Sequence, residues 1–201
     1  MIRINRIIRV LIASDFIFHV GVGFMDPIFA VFLVESITGG TVQLVGTAAA
    51  IYWFTKSVLR LPIAYFLDKK RGEYDDFYSM LAGFFIITGL QFTYLLAQTP
   101  NHIYIIQVFM GVGGALAYTP WYGFFSRHID KYRENMEWSI SNSSVGFGIA
   151  GAGFLAGFVA EHFGFAPIFI ISGILSFFGT LLLLFIGKNV QLKKRDGFSI
   201  R

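Results

Sequence analysis

The chain has 201 residues, of which 55% are hydrophobic and 14% are charged, and its mean hydropathy is +0.65. A typical soluble domain has about 25% charged residues, so this composition leaves too little polar surface to cover a water-soluble protein. Cysteine is absent, which excludes disulfides and thiolate chemistry. The net charge of +4 is concentrated in predicted loops, so it gives no reason to expect a nucleic-acid partner.

Six apolar segments follow one another, each close to the length that crosses a hydrocarbon core of about 30 Å. They lie at about 8–34, 42–67, 76–97, 102–125, 138–160 and 167–187. Charged or turn-rich residues separate them. The pattern predicts an all-α membrane protein, with a domain at 1–187 that holds six transmembrane helices and a basic tail at 188–201 that rests on the lipid bilayer.

Basic residues mark one side of the predicted membrane. Of the 16 Lys and Arg residues, 14 precede the first span, follow the sixth or lie in the second and fourth loops. The other three loops have none, and the remaining two bases, Lys56 and Arg60, fall inside the second span. By the positive-inside rule both termini are cytoplasmic, and we expect a bacterial or archaeal inner membrane.

The first span contains three ionisable residues, Asp15, His19 and Asp26. At 100° per residue all three share one narrow stripe of a helix. A charge near the bilayer centre costs a few kcal/mol, so such residues normally face the protein interior or a water-filled path. The stripe therefore predicts a helix face that lines a cavity.

The second span adds Lys56 and Arg60, which are one helical turn apart. At about 1.5 Å per residue, Arg60 lies level with Asp15 and His19, and Lys56 lies between His19 and Asp26. We therefore expect the pairs Asp15–Arg60 and Asp26–Lys56, within one copy of the chain or between two copies.

Two interpretations of these charges stay open. They are static ion pairs that fix two helices together, or Asp26, His19 and Lys56 form a titratable site for a substrate or a proton. Tyr52, one turn from Lys56, would line the same path.

Spans four and five are rich in glycine. On the fourth, Gln107 and Tyr118 share one face with Gly111 and Gly114, where core packing and cavity lining are equally compatible with the pattern. On the fifth, Gly153 and Gly157 have the G-x-x-x-G spacing that lets helix backbones approach closely. This spacing predicts either tight packing inside one subunit or a helix that slides against a partner.

The loop "AYFLDKKRGEYDD" (64–76) resembles the signature loop of the major facilitator superfamily, G-x-x-x-D-R/K-x-G-R/K-R/K, with Asp68 on the signature Asp. Glu73 stands where that family has a base. "IIQVFMGVGGALA" is similar to the family's R-x-x-Q-G-x-G-A-A pattern, with Gln107 in place of the Arg. The resemblance implies a cavity lined by the first and fourth helices, lipid contact by the third and sixth, and a cytoplasmic gate of Asp68 with Arg71 or Arg127.

Members of that family usually have twelve helices in two six-helix halves, and this chain matches one half. The resemblance therefore predicts a half-size transporter that is completed as a parallel homodimer. The alternatives are the excised amino-terminal half of a longer transporter and a scaffold or subunit that transports nothing.

No nucleophile elbow, phosphate-binding loop or metal-ligand motif is found, so we expect neither an enzyme nor a cofactor. The expected function is alternating-access transport of a small polar or amphipathic solute, coupled to protons. Facilitated diffusion remains open because Gln107 replaces the family's Arg.

Overall fold

A computed structural model describes residues 4–69 and 73–187, and all regular structure within them is helical. The helices are α1 (Arg6–Glu35), α2 (Val42–Lys69), α3 (Tyr74–Thr93), α4 (Pro100–His128), α5 (Glu134–Phe163) and α6 (Ala166–Gly187). A single 3-10 turn, Tyr94–Leu96, follows α3. Each predicted span coincides with one helix, and the predicted tail at 188–201 lies outside the described residues.

Five of the helices, all except α2, are long and apolar enough to cross a membrane. The helix α2 has the necessary length, 28 residues, but is less apolar because Lys56 and Arg60 lie within it. Such charges require a polar or protein environment rather than lipid. The all-α fold with helices suited to a membrane is thus confirmed, while the exact limits of the spans stay a prediction.

The helices pack as an arc in the order α2, α4, α3, α6, α1, α5, in which each helix packs mainly against its neighbours. The arc has α2 at one end and α1 with α5 at the other. Because contacts between α1 and α2 are sparse, the bundle is open on the side between these ends. Arg6, Lys69 and Arg127 lie at one end of the bundle, with the start of α1 and the ends of α2 and α4. We call this the basic end.

Hydrogen bonds between polar side chains hold α3 against α6. The Gln91 side chain is fully buried; its Nε2 donates to the Ser176 hydroxyl at 3.1 Å, and the Ser172 hydroxyl donates to its Oε1 at 2.5 Å. Ser14 of α1 donates to the Gly179 carbonyl of α6 at 2.7 Å. Interhelical bonds of this kind stabilise membrane bundles because lipid offers no alternative partner.

Glycines allow the closest helix contacts. A Cβ added at Gly83 of α3 would lie 2.3 Å from the backbone nitrogen of Ala117 in α4, and one added at Gly179 of α6 would lie 2.6 Å from that of Phe18 in α1. These separations are far below van der Waals contact, so a side chain at either position would push two helices apart.

The G-x-x-x-G pair on α5 behaves differently. A Cβ at Gly153 would lie 3.5 Å from Pro27 Cγ and 3.8 Å from the Gly23 carbonyl oxygen, and one at Gly157 would meet no atom of the described residues within 4 Å. Tight packing inside one subunit is therefore not seen for Gly157, because this glycine lies on the outer face of α5, where no other described helix contacts it.

We expect Gly83→Ala to destabilise the bundle by about 1–3 kcal/mol, the usual cost of forcing extra atoms into a packed interior. Thermal unfolding of the detergent-solubilised protein measures this effect. Gly89→Ala on the same helix is the matched control, because a Cβ there meets nothing within 4 Å. Equal melting temperatures for the two variants would contradict the proposed close contact between α3 and α4.

Candidate functional site

A cavity of about 480 Å³ lies between α1, α2 and α4, and Ile87 and Tyr94 also line it. The predicted site residues that line it are His19, Asp26, Tyr52, Lys56, Gln107 and Tyr118. Apolar and aromatic side chains form the rest of the wall: Phe18, Val22, Met25, Phe29, Ala49, Trp53, Met110 and Tyr122. An apolar cavity with a few convergent polar groups is the usual form of a small-molecule site.

Lys56 is buried among aromatic rings instead of facing a carboxylate. Its Nζ donates to the Tyr52 hydroxyl at 3.0 Å and lies 4.6 Å from the ring centre of Tyr118 and 4.7 Å from that of Trp53. The residue is 8% exposed, so these cation–π contacts act in a desolvated setting where they are strongest. The structure thus places a cation in the cavity wall with no ion pair among the described residues.

Three residues on two helices form a hydrogen-bonded chain beside this cation. His19 Nδ1 lies 3.1 Å from Asp15 Oδ1 and 2.9 Å from the Asp15 carbonyl, and Nε2 lies 3.2 Å from the Tyr118 hydroxyl. With the proton on Nδ1, the imidazole donates to Asp15 and accepts from Tyr118. Because Tyr118 also contacts Lys56, the chain connects α1 to α2 through α4.

Neither predicted ion pair forms within the described chain. Asp15 pairs with His19, one turn along its own helix, and not with Arg60. The Arg60 guanidinium lies over the Tyr122 ring, with Cζ 5.6 Å from its centre. Asp26 lines the cavity and is exposed, and no ion pair within 4 Å joins it to Lys56. Heights along the bundle were compatible with both pairs, but α1 and α2 make too few contacts to bring the charges together.

The predicted face of α4 is directed at α2 and the cavity. Gln107 is 5% exposed, and its Nε2 donates to the Tyr94 hydroxyl at 3.1 Å. A Cβ added at Gly114 would lie 3.2 Å from Lys56 Cδ. Gly114 thus packs against the lysine chain, whereas Gln107 and Tyr118 of the same face line the cavity.

At the basic end, Arg127 pairs with acids of α3 instead of Asp68. Its guanidinium bonds to Asp76, and its Nε lies 3.5 Å from Glu73 Oε1. His128 Nε2 lies 3.6 Å from the other Glu73 oxygen. Glu73, which stands where the family's signature loop has a base, therefore lies close to two bases at the end of α4, Arg127 and His128. Asp68 is exposed near the end of α2, and Arg71 lies outside the described residues.

Hydrogen bonds of the Asn5 side chain connect the start of α1 to the end of α4 and the loop that follows it. Its side-chain oxygen accepts from the Ile8 backbone at 2.9 Å, and its amide donates to the His128 carbonyl at 2.7 Å and to Asp130 at 3.1 Å. The bond from Asn5 holds the pKa of the Asp130 carboxyl below its usual value. Nothing in the sequence pattern singled out Asn5, whose role depends on residues more than 120 positions away.

The outer faces of α2 and α5 are apolar and uncovered by the described residues. On α2, Phe54 and Leu61 are 73% and 77% exposed, and on α5, Phe147 and Phe154 are 79% and 82% exposed. These helices form the two ends of the arc, one on each side of the cavity opening. Both faces are therefore available to lipid or to further helices.

Comparisons with known proteins give a family and a fold. The family model described as Major Facilitator Superfamily matches residues 11–199. Among solved structures, the chain is similar to one titled "In meso crystal structure of the POT family transporter PepTSo", with 18% identity and a TM-score of 0.67. The match covers 98% of this chain and 40% of that transporter. No match was found among curated proteins.

We expect Arg127→Glu to lower the melting temperature, because it places three acids together where two were paired with a base. Because Asp76 is 7% exposed and Arg127 is partly exposed, the loss should lie between the value for a surface pair and that for a buried one, about 1–4 kcal/mol, which corresponds to several degrees for a chain of this size. The exchange Asp76→Arg with Arg127→Asp should recover most of the loss. Lys131→Glu makes the same charge change in the neighbouring loop and is the control; an equal loss there would show a general charge effect.

Proposed function

Because this chain belongs to the major facilitator superfamily, we propose that it moves a small solute through the cavity between α1, α2 and α4 by alternating access. Family membership supports a transporter. The observation that carries the proposal is the separation of Lys56 from Asp26 in one cavity wall, which leaves both charges available to a solute. A pair formed only to fix two helices would instead bring opposite charges into contact.

The cavity chemistry favours a small polar or amphipathic solute with both an anionic and a cationic group. Lys56 would bind the anionic group, Asp26 would bind the cationic group, and the rings of Tyr52 and Trp53 would cover apolar parts between them. A volume of about 480 Å³ suits a small molecule. Proton coupling would use Asp26, because it faces the cavity and no ion pair among the described residues fixes its charge.

A second six-helix unit would complete the carrier. We propose that a second copy of the chain supplies it, with the exposed face of α2 in one copy packed against that of α5 in the other around a two-fold axis. On α5, Gly151 and Gly157 meet nothing within the described residues, so beside the exposed Phe147 and Phe154 they leave room for large side chains of α2. The competing occupant of these faces is the other half of a longer chain, which the 40% coverage of the structural relative also fits.

We expect Asp26→Asn to abolish accumulation of solute in response to a pH gradient, and Lys56→Met to weaken solute binding about tenfold or more, as for loss of a charge-assisted bond. Uptake of a panel of labelled amino acids into proteoliposomes measures both effects, since these zwitterions match the proposed pair of charges.

Matched controls exist on the same helices. Glu35→Gln removes an exposed carboxylate from α1, and Lys69→Met removes an exposed ammonium from α2, both outside the cavity. If the cavity variants and the control variants take up solute equally, Asp26 and Lys56 do not form the site. If neither the parent protein nor any variant moves solute, the scaffold alternative is favoured.

The proposed dimer predicts a disulfide between copies. The chain has no native cysteine, so Ala50→Cys and Phe154→Cys can be made singly, mixed in one membrane and oxidised. We expect a cross-linked dimer from the mixture because the two exposed positions lie at similar heights on α2 and α5. Phe178→Cys on the exposed face of α6, mixed with Ala50→Cys, is the control and should stay monomeric. Monomers in both mixtures would contradict the dimer.

A further inference from the structure

A second concave site lies outside the cavity, between α1 and α5 at the basic end. The groove measures about 460 Å³ and is lined by Ile4, Arg9, Ile12, Ala13, Phe16, Ile140, Ser144 and Phe147. Six of these eight residues are apolar and none is acidic. It is separate from the transport cavity, with which it shares no lining residue.

Among the described residues, Arg9 is the only charged one that lines the groove. It is exposed, and its side chain makes no hydrogen bond or ion pair with the described part of the chain. The Ser144 hydroxyl, the other polar group, already donates to the Ile140 carbonyl at 2.7 Å. The guanidinium is therefore free to bind an anion, and its planar fork matches a phosphate in particular.

The groove runs in the direction that an acyl chain takes. From Arg9 to Phe16 it descends by seven residues of α1, about 10 Å, within the roughly 15 Å that one leaflet contributes to the hydrocarbon core. The polar end lies at the basic end of the bundle, and the apolar end, at Phe16 and Phe147, points toward the bilayer centre. A ligand that fits has an anionic head and apolar chains.

We propose that this groove binds an anionic phospholipid, with its phosphate on Arg9 and an acyl chain along Ile12, Phe16 and Phe147. The site does not depend on the proposed transport activity. It also lies apart from the centre of the proposed contact between copies, because Phe154 is about two turns farther along α5 than Phe147.

Two arginines near the start of α1 provide a matched test of the head-group contact. Arg9→Gln and Arg6→Gln remove the same charge from exposed positions on one helix, but only Arg9 lines the groove. Native mass spectrometry with phosphatidylglycerol and phosphatidylcholine measures lipid retained by the protein. We expect Arg9→Gln to bind phosphatidylglycerol about tenfold more weakly and to lose its preference over phosphatidylcholine, whose choline cation offsets the phosphate charge, and Arg6→Gln to match the parent protein.

A second variant tests the apolar part. Ala13→Leu fills the groove while leaving Arg9 in place, and we expect it to weaken both lipids. Equal effects of the two arginine variants, or no effect of Ala13→Leu, would overturn the proposal in favour of non-specific attraction to an anionic surface. Complete disulfide cross-linking of Phe147→Cys in vesicles that contain phosphatidylglycerol would also overturn it, because a second copy would then occupy the groove.

Discussion

A buried lysine must be solvated by the protein, and this requirement determines how α2 sits against the bundle. Lys56 is the only buried Lys or Arg in the described residues, and three aromatic rings with a tyrosine hydroxyl take the place of water. Tyr118 comes from α4, so the cage exists only while the two helices are in contact. Gly114 makes that contact possible because a larger residue would meet the lysine chain.

The arrangement separates two kinds of charge in the first helix. Asp15 is 7% exposed and engaged by His19, as a structural contact would be. Asp26 is exposed in the same cavity as Lys56 and has no such partner among the described residues. Asp15 is therefore held by a residue of its own helix and does not fix two helices together, while Asp26 keeps the place in the cavity that the proposed site requires. His19 lies between these two carboxylates along α1. Its Nε2 is within hydrogen-bond distance of the hydroxyl of Tyr118, one of the rings around Lys56.

Helices and cavity-facing residues were predictable, whereas the partners of the charges were not. Long apolar segments and the shared stripe of Asp15, His19 and Asp26 follow from helix geometry alone. That geometry gives height along the bundle but not the distance between α1 and α2, so it did not predict that Asp15 pairs with His19 on its own helix instead of with Arg60 of the same copy. The sequence singled out Arg127 but not its contact with Glu73. The signal was present, because Glu73 is an acid at a position where the family has a base.

Polar contacts between neighbouring spans can be missed for a different reason. The third and sixth spans read as uniform apolar helices without charges, yet Gln91 and Ser172 bond to each other inside them. The effect of a single amide is averaged out over an apolar span of about 20 residues, and its partner lies 81 residues away. Only the arc of helices shows that the two groups meet.

That bond has a consequence for how the chain is made. Gln91 enters the membrane with α3, but the hydroxyls that satisfy it arrive only with α6. Until then, the amide needs other hydrogen-bond partners, since lipid cannot bond to it. The contact between α3 and α6 is therefore complete only after α6 has entered, and a chain truncated before α6 would leave the Gln91 amide without these two partners.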